Sequence, residues 1–359
     1  MDRRSLLKAG LAVAAGAAAG PIAAGERLPA APPAPPPPIR PPRLREGDLV
    51  ALVAPANATF LGVQLDVARE ALEALGLRVR IGEHLLSRYG SMAGRDAERA
   101  ADVDAAFADP EVRAVLPIRG GWGSARLLPH LDYDLARRDP KVVLGYSDVT
   151  ALLLALHARS GLVTFHGPNG FGRWDPFSVD HVRRLLFAAE APTLANPVDD
   201  DPDRLVPLEH RIRILTPGRA RGRLVGGNLT VLAGLVGTPY LPSFDGAILF
   251  VEDTNEAIYR IDRLMTQLAL AGLLGRIAGF VFGTCEGCGP GEGYGSLTLE
   301  EVLRDHVGAL GVPAWHGAMI GHGMPQWTVP IGAEAEIDAD AGTVRLLEAA
   351  VAEEPSPRA

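Results

Sequence analysis

A serine stands where this sequence predicts that a strand gives way to a helix. Ser147 follows the apolar run Val142–Gly145 and precedes an apolar helical pattern over residues 149–157. A strand-to-helix turn exposes its central side chain and directs helix N–H groups toward whatever that side chain attacks. This geometry suits a nucleophile, but the pattern is Gly-x-Ser-Asp, not the Gly-x-Ser-x-Gly of common esterases. The alternative is that Ser147 or Asp148 only caps the helix.

A glycine-rich run follows another predicted strand, Ala114–Ile118. It reads Arg-Gly-Gly-Trp-Gly over residues 119–123 and is expected at the same edge of the sheet. Glycines there let backbone N–H groups approach a ligand, as an oxyanion hole or a phosphate cradle requires. The run lacks the Lys-Ser/Thr of a P-loop and the spacing of a dinucleotide fingerprint, so nucleotide binding is disfavoured.

A nucleophilic serine needs a base, and two of the nine histidines stand in glycine-flanked loops. These are His166, in Phe-His-Gly-Pro, and His322, in Gly-His-Gly-Met-Pro. Functional residues often lie in loops on a rigid scaffold. Both histidines lie in such loops, so this tendency does not select one of them as the base. The acid that orients the imidazole would be Glu252 or Asp253, at the end of the predicted strand Ala247–Val251. A helix cap is the alternative role for either acid.

The composition bounds the class of protein. The chain has 359 residues, of which 47% are hydrophobic, so we expect a large core and two domains. The formal net charge of −8 provides no field that attracts phosphates, and nucleic-acid binding is not expected. Cys285 and Cys288 can close a small disulfide, whereas a metal site would usually need four ligands. We expect a local structural feature there, and no metal or cofactor.

The alternation of predicted strands and helices over residues 47–190 indicates an open α/β domain, whose sites lie at the carboxyl ends of its strands. Residues 191–214 are rich in Pro, Asp and Arg and are predicted to be an interdomain linker. A second domain is predicted over 215–350, followed by a disordered tail over 351–359. The predicted helices are 62–76, 97–109, 149–157, 178–189 and 256–272.

The N-terminal segment is predicted to be a targeting signal. Residues 1–25 place two adjacent arginines before an alanine-rich stretch, the layout of a twin-arginine-type signal peptide. The stretch has about 16 residues, fewer than the roughly 20 of a spanning helix. We therefore expect cleavage near Ala24, a periplasmic or exported protein, and no stable membrane insertion; the alternative is that the segment is retained as an N-terminal membrane anchor. Residues 26–46 are proline-rich, which predicts an extended linker that tethers the folded body.

Six motifs together resemble the LD-carboxypeptidases, the serine peptidase family that includes the microcin C immunity peptidase. They occur in the family's order and approximate spacing over most of the chain. The resemblance implies an N-terminal flavodoxin-like, or glutamine-amidotransferase-like, parallel-sheet domain and a smaller C-terminal β-rich α/β domain, with the active site in the cleft between them. The motifs are Arg-Gly-Gly-Trp-Gly at 119–123, Gly-Tyr-Ser-Asp at 145–148, His-Gly-Pro at 166–168, Gly-Gly-Asn-Leu-Thr at 226–230, Leu-Phe-Val-Glu-Asp at 249–253 and Gly-His-Gly at 321–323.

The resemblance also implies which residues form the site. The family's catalytic triad falls on Ser147, Glu252 and His322, which selects one histidine and one acid from the alternatives above. Its oxyanion hole falls on the backbone N–H groups of Asp148 and Gly121. A bidentate arginine would suit the free carboxylate of a peptide. The predicted substrate contacts are Arg119, Gly120, Asn228 and Glu256.

The implied substrate is a peptidoglycan stem tetrapeptide, cut between the L-centre of meso-diaminopimelate or lysine and the terminal D-alanine. The family tends to form homodimers. Many members act on recycled murein in the cytoplasm, whereas an export signal predicts action on the wall or on released fragments. One alternative is a microcin-immunity-like peptidase that cuts an acyl-sulfamoyl-adenylate conjugate, with Trp122, Trp174 or Trp327 against the adenine. A non-catalytic periplasmic murein-peptide-binding protein is the other.

Overall fold

Two β-sheets organise the described part of the chain. A computed structural model describes residues 36–199, 203, 205–290 and 295–353. The predicted signal peptide, residues 26–35 of the predicted tether and residues 354–359 of the predicted tail lie outside these ranges. Among the described residues, no helix combines the length and the apolar character needed to cross a bilayer.

The strands of the described residues are β1 (Leu49–Val53), β2 (Arg78–Ile81), β3 (Val112–Pro117), β4 (Val142–Gly145), β5 (Thr164–His166), β6 (Thr193–Leu194), β7 (Arg213–Thr216), β8 (Arg219–Asn228), β9 (Ile248–Thr254), β10 (Gly279–Glu286), β11 (Ala314–His316), β12 (Val329–Ile331), β13 (Glu334–Asp338) and β14 (Thr343–Leu346).

The α-helices of the same residues are α1 (Gly62–Ala74), α2 (Asp96–Ala108), α3 (Ser124–Leu127), α4 (Tyr133–Arg138), α5 (Thr150–Ser160), α6 (Pro176–Val182), α7 (Leu229–Ala233), α8 (Ile258–Leu270) and α9 (Leu299–Val307). A π-helical turn, Arg183–Phe187, extends α6, and a 3-10 turn, Ser147–Val149, precedes α5.

The first sheet has the order β12-β5-β4-β3-β1-β2. Strands β1 to β5 are parallel, and their order, 2-1-3-4-5, is the flavodoxin-like one. Every residue of β1 is buried, because this apolar strand lies inside a sheet of a kind that helices cover on both faces. The predicted fold of the first domain is confirmed.

The second sheet has the order β6-β14-β13-β8-β9-β10-β11-β7. Its central strands β8, β9, β10 and β11 are parallel, and antiparallel strands flank them on both sides. This mixed, β-rich sheet is the architecture predicted for the second domain. Each of the two sheets therefore contains a group of parallel strands. Open α/β sheets place their sites in the loops at the carboxyl ends of such strands.

The chain exchanges strands between the sheets, which the sequence did not predict. Strand β12 comes from the predicted second domain, yet it pairs antiparallel with β5 at the edge of the first sheet. Strand β6 comes from the predicted linker and pairs with β14 at the edge of the second sheet. Over the described residues, the chain therefore passes between the two sheets more than once, whereas a single interdomain linker would require only one crossing.

Residues 36–46 correct the prediction of a free tether. Ile39 forms a parallel bridge with Leu162, and Pro42 forms one with Ala352, where the predicted disordered tail begins. Proline-rich chain is extended, so a non-proline residue such as Ile39 can still offer its N–H and C=O groups for pairing. Leu44 is buried in the core. This part of the segment belongs to the folded body.

Helix α5 follows the serine turn and lies at the junction of the two sheets. Its residues from Thr150 to His157 are all buried, because the helix is apolar on every side. It contacts β4 and β5 in the first sheet and β8 in the second. The Asn228 N–H donates to Thr150 Oγ1 over 3.0 Å. A Cβ at Gly227 would lie 2.6 Å from the Thr150 side chain, so only glycine permits this approach.

Replacing Gly227 with alanine is expected to push β8 away from α5. Gly227 also has a φ of +139°, which an L side chain rarely adopts. We expect a loss of about 1–3 kcal/mol in the free energy of unfolding, as for overpacked sites. Chemical denaturation would measure it, with Gly275→Ala as the control, because a Cβ there meets no atom within 4 Å. Equal stability of the two variants would contradict the argument.

Candidate active site

Three side chains from distant parts of the chain form one hydrogen-bonded array. His322 Nε2 lies 3.0 Å from Ser147 Oγ, and His322 Nδ1 lies 2.8 Å from Glu252 Oε2. A carboxylate only accepts, so Nδ1 carries the proton that it donates to Glu252. Nε2 is then free to accept from the hydroxyl of Ser147. The array contains a nucleophile, a base and an acid that orients the base.

The backbone at Ser147 has the conformation of a nucleophile elbow. Its φ is +65°, in the left-handed region that non-glycine residues rarely adopt. The strand-to-helix turn predicted from the sequence is present, since Ser147 lies between β4 and α5. Gly120 packs directly against it: a Cβ at Gly120 would stand 2.9 Å from Ser147 Cβ and 3.0 Å from its Oγ. A side chain at position 120 would therefore displace the serine.

The aspartate after the serine holds the elbow to the glycine-rich run. Asp148 is buried, and its Oδ2 accepts from the Ser124 N–H over 2.7 Å. This bond supplies a reason for Asp in the Gly-x-Ser-Asp pattern, where common esterases have another residue. The backbone N of Asp148 lies 3.4 Å from the Cβ position of Gly120. It therefore faces the same side of the glycine run as the serine hydroxyl.

Two asparagines brace this region, and sequence reasoning missed both. Asn57 Oδ1 accepts from the Trp122 N–H over 3.2 Å, and the Asn57 side chain fills the space where a Cβ of Gly121 would be. Asn169 Oδ1 accepts from the Tyr146 N–H, also over 3.2 Å. A signal was present in each case, because Asn57 follows β1 closely and Asn169 directly follows the His-Gly-Pro motif.

Glu252 is fully buried and needs its partners. Besides His322, it accepts from Asn228 Nδ2 over 3.2 Å. Asn228 also donates to Asp253 Oδ1, and its own Oδ1 caps α7 by accepting from the Val231 N–H. The side chain of Asn228 is thus engaged behind Glu252. These bonds make Asn228 a support of the acid, and its predicted contact with a substrate stays a prediction.

The pKa of His322 is raised above its ordinary value. Burial lowers it, but the hydrogen bond and charge of Glu252, with the charges of Asp253 and Glu286, outweigh burial. Burial also raises the pKa of the neighbouring Asp253. The Tyr146 ring packs edge-to-face against the His322 ring, with centroids 5.0 Å apart. The imidazole is therefore held from two sides.

His166, the rival candidate for the base, is buried away from the hydroxyl. Burial and the charge of His322 lower its pKa to about 3. Neither of its ring nitrogens has a hydrogen-bond partner among the described residues. Its ring packs against those of Tyr146 and Phe250. The structure brings His322, not His166, to Ser147.

The loop that carries His322 is tied to the end of β10. Thr284 Oγ1 accepts from the Gly323 N–H and donates to the Ile320 carbonyl, each over 3.2 Å. Cys285 and Cys288 follow, joined by a disulfide as the sequence suggested. The Glu286 carbonyl in that turn accepts from the Asn255 N–H. The disulfide thus closes a turn beside the strand that carries Glu252.

Two predicted substrate contacts form no hydrogen bond or ion pair with the array in the described part of the chain. Arg119 is half-buried just beyond the end of β3. Glu256 follows β9, and its carboxylate lies 3.4 Å from the guanidinium of Arg260. Their roles toward a substrate stay predictions.

The fold and the site together define a serine-type hydrolase. A flavodoxin-like sheet supplies the serine at the carboxyl end of β4, and the second sheet supplies the acid. The base lies on the segment that crosses from β11 back to β12. The nucleophile can attack a carbonyl while the imidazole moves the proton.

Known proteins share this arrangement of domains. The LD-carboxypeptidase N-terminal domain matches residues 50–167, and the LD-carboxypeptidase C-terminal domain matches residues 221–337. A probable murein peptide carboxypeptidase of Bacillus subtilis (strain 168) is 40% identical over 314 residues, which cover 88% of this chain and 96% of that protein. The chain belongs to the LD-carboxypeptidase family, and it is a serine-type peptidase.

Solved structures agree with this assignment. The microcin C7 self-immunity protein MccF, a protein of Escherichia coli, superposes with a TM-score of 0.79 at 25% identity, covering 88% of this chain and 100% of that one. A muramoyltetrapeptide carboxypeptidase from Oxalobacter formigenes superposes with a TM-score of 0.70 at 28% identity, covering 83% and 97%. The predicted family and two-domain fold are confirmed.

Replacing Glu252 with glutamine is expected to lower the pKa of His322. The charge and hydrogen bond that raise this pKa would be lost, while burial would still lower it. The pH at which His322 loses its proton would move down, and kcat would fall by about 10⁴-fold, as in other triads whose acid becomes an amide. NMR titration of labelled histidine rings would measure the pKa. Glu70→Gln, at an exposed acid on α1, is the control, and an unchanged His322 pKa in Glu252→Gln would contradict the assignment.

Proposed function

We propose that this protein is a serine LD-carboxypeptidase that acts on peptidoglycan stem tetrapeptides. It hydrolyses the amide between the L-centre of meso-diaminopimelate or lysine and the terminal D-alanine. The observation that carries the proposal is the hydrogen-bonded array of Ser147, His322 and Glu252 in a chain of this family.

In the first step, Ser147 Oγ attacks the amide carbonyl and His322 Nε2 takes its proton. The imidazole becomes positively charged, and the buried carboxylate of Glu252 stabilises that charge through Nδ1. Because Glu252 is already hydrogen-bonded in the free enzyme, little reorganisation is needed at the moment of reaction. The left-handed backbone of Ser147 presents the hydroxyl outward from the turn.

The oxyanion would be held by the backbone N–H groups of Asp148 and Gly121. Donors of this kind contribute roughly 3–4 kcal/mol each to stabilising the transition state. The braces described above fix their positions: Ser124 binds the Asp148 carboxylate, and Asn57 fills the space beside Gly121. A donor fixed in this way does not relax away from the developing charge.

In the second step, His322 gives its proton to the amine of the leaving D-alanine, and the acyl group stays on Ser147. Water then attacks the acyl-enzyme with the same imidazole as base, which releases the shortened peptide. The raised pKa of His322 favours the protonated form that this transfer needs. Every proton passes through one imidazole, so no further acid or base is required.

The names of two similar proteins support a murein peptide as the substrate. The Bacillus subtilis relative is a probable murein peptide carboxypeptidase, and the Oxalobacter formigenes structure is a muramoyltetrapeptide carboxypeptidase. Export through the predicted signal is part of the proposal. The disulfide between Cys285 and Cys288 supports it, because such bonds persist in oxidising compartments.

A microcin-immunity-like activity is the second candidate, favoured by the similarity to MccF. It would need an aromatic partner for the adenine. Trp327 is fully buried, and its N–H donates to the Ala195 carbonyl, so it is not available for stacking. Trp122 is 52% exposed and lies on the glycine-rich run beside Ser147. Trp174 is half-buried and donates its N–H to the Gly170 carbonyl, so Trp122 is the most exposed of the three candidates.

The test compares a diaminopimelate-containing tetrapeptide that ends in D-alanine with its isomer that ends in L-alanine. We expect the wild-type protein to release D-alanine and to leave the isomer intact. Ser147→Ala is expected to lose at least about 10⁴-fold in rate, since the nucleophile is absent. Ser243→Ala, a serine outside the array, is the control and keeps the activity. Chromatography of released alanine provides the measurement.

Three outcomes would contradict the proposal. Cleavage that survives in Ser147→Ala would remove the serine from the mechanism. A wild-type protein that binds both peptides and cuts neither would be a binding protein. A wild-type protein that cuts only an aminoacyl-sulfamoyl-adenosine would have the microcin-immunity-like activity.

A further inference from the structure

An open cavity of about 400 Å³ lies beside the loop that carries His322. One wall belongs to the segment before and at the start of α6, in the first domain. The other wall consists of the second and third residues after His322. The lining residues are Arg173, Asp175, Pro176, Phe177, Met324 and Pro325.

A chain of hydrogen bonds fixes the distance between the two walls. The Gln326 N–H donates to Ser178 Oγ over 3.0 Å, and Ser178 Oγ donates to Asp175 Oδ2 over 2.7 Å. Gln326 and Ser178 are both buried, so water does not compete for these bonds. The cavity is therefore preformed, as most small-molecule sites are.

The first wall is also anchored to the sheet that carries the nucleophile. The Gly170 N–H donates to the Pro117 carbonyl, and the Phe171 N–H donates to the Ile118 carbonyl. These carbonyls immediately precede the glycine-rich run. Trp174 Nε1 donates back to the Gly170 carbonyl over 3.1 Å and closes the loop. Arg173 thus projects from a braced segment.

Arg173 is the positively charged residue of the lining. It has neither a hydrogen bond nor an ion pair with any other described residue. The acid of the same cavity, Asp175, forms no ion pair with it, and the Asp175 carboxylate accepts instead from the Phe177 and Ser178 N–H groups and from Ser178 Oγ. The remaining lining is apolar. A guanidinium against apolar walls suits a small ligand that carries a carboxylate.

The chemistry of the reaction decides which part of the substrate lies here. The imidazole that deprotonates the serine later protonates the leaving amine, so the leaving amino acid must lie on the side of His322. Met324 and Pro325 extend the chain from that histidine into the cavity wall. In a carboxypeptidase the leaving amino acid carries the free terminal carboxylate.

We propose that this cavity is the leaving-group subsite and that Arg173 binds the terminal carboxylate of the peptide. The inference rests on the proposed carboxypeptidase function. It assigns to Arg173 the role that the sequence suggested for Arg119. The side chain of the leaving residue lies against Phe177 and the two residues after His322.

The experiment uses the full chain and two substrates, the tetrapeptide that ends in D-alanine and the same peptide that ends in D-alaninamide. For Arg173→Gln, we expect KM for the free acid to rise by roughly 10- to 100-fold, the range for loss of a hydrogen bond to a charged group. We expect kcat for the acid to stay within about threefold and KM for the amide to stay unchanged. Arg173→Gln would therefore no longer have a lower KM for the free acid than for the amide.

Two matched variants separate the alternatives. Arg119→Gln tests the other candidate arginine, and Arg69→Gln, on α1, controls for the loss of one positive charge. Arg173→Lys keeps the charge without the bidentate geometry and is expected to retain part of the discrimination. Circular dichroism and thermal unfolding would verify that each variant is folded.

The outcomes distinguish the inference from the function on which it rests. If the wild-type protein cleaves the acid and Arg173→Gln still discriminates as the wild type does, the inference is overturned and the proposed function stands. Loss of discrimination in Arg119→Gln instead would assign the carboxylate to that residue. If the wild-type protein cleaves neither peptide, the proposed function fails, and the subsite fails with it.

Discussion

The hydrogen bond from the Asn228 N–H to Thr150 Oγ1 joins the two halves of the site. Thr150 begins the helix that follows the nucleophile, and Asn228 stands beside Glu252 in the parallel pairing of β8 and β9. One contact thus connects the serine turn to the acid through a few bonded atoms. The contact needs Gly227, because any side chain there would separate helix and strand. A triad divided between two sheets depends on this fixed spacing.

The second constraint on the site is a buried charge, the carboxylate of Glu252. Glu252 is removed from water, so its carboxylate needs hydrogen-bond donors within the protein. The amide of Asn228 and the imidazole of His322 both donate to it, so the carboxylate is held by oriented dipoles before any substrate arrives. Asp253 adds a second acid in the same interior, engaged by the hydroxyl and N–H of Thr230. These acids raise the pKa of His322 in an interior where burial alone would lower it.

The sequence predicted the secondary structure and the fold better than the contacts between individual residues. Apolar runs located strands such as β3, β4 and β9, because burial on both faces of a sheet imposes that pattern. The choice of His322 over His166 was different, since both lie in glycine-flanked loops and only the family resemblance separated them. The support that Asn228 gives to Glu252 and Asp253 was not predicted, because local sequence does not reveal that both acids accept from its amide. The pairing of Ile39 was not predicted, because the many prolines of this segment lack an N–H group and draw attention away from the non-proline residues that still have one.

The segment from β11 to β12 unites the base and the proposed leaving-group wall in one stretch of chain. It begins in the second sheet, where the Gly317 N–H donates to the Phe282 carbonyl, and ends in the first sheet beside β5. Along the way it carries His322 and then Met324 and Pro325, which form one wall of the cavity. A shift of one sheet against the other would therefore change the distance from base to nucleophile and the width of the cavity together. Proton delivery and recognition of the leaving amino acid are coupled because one crossing chain provides both.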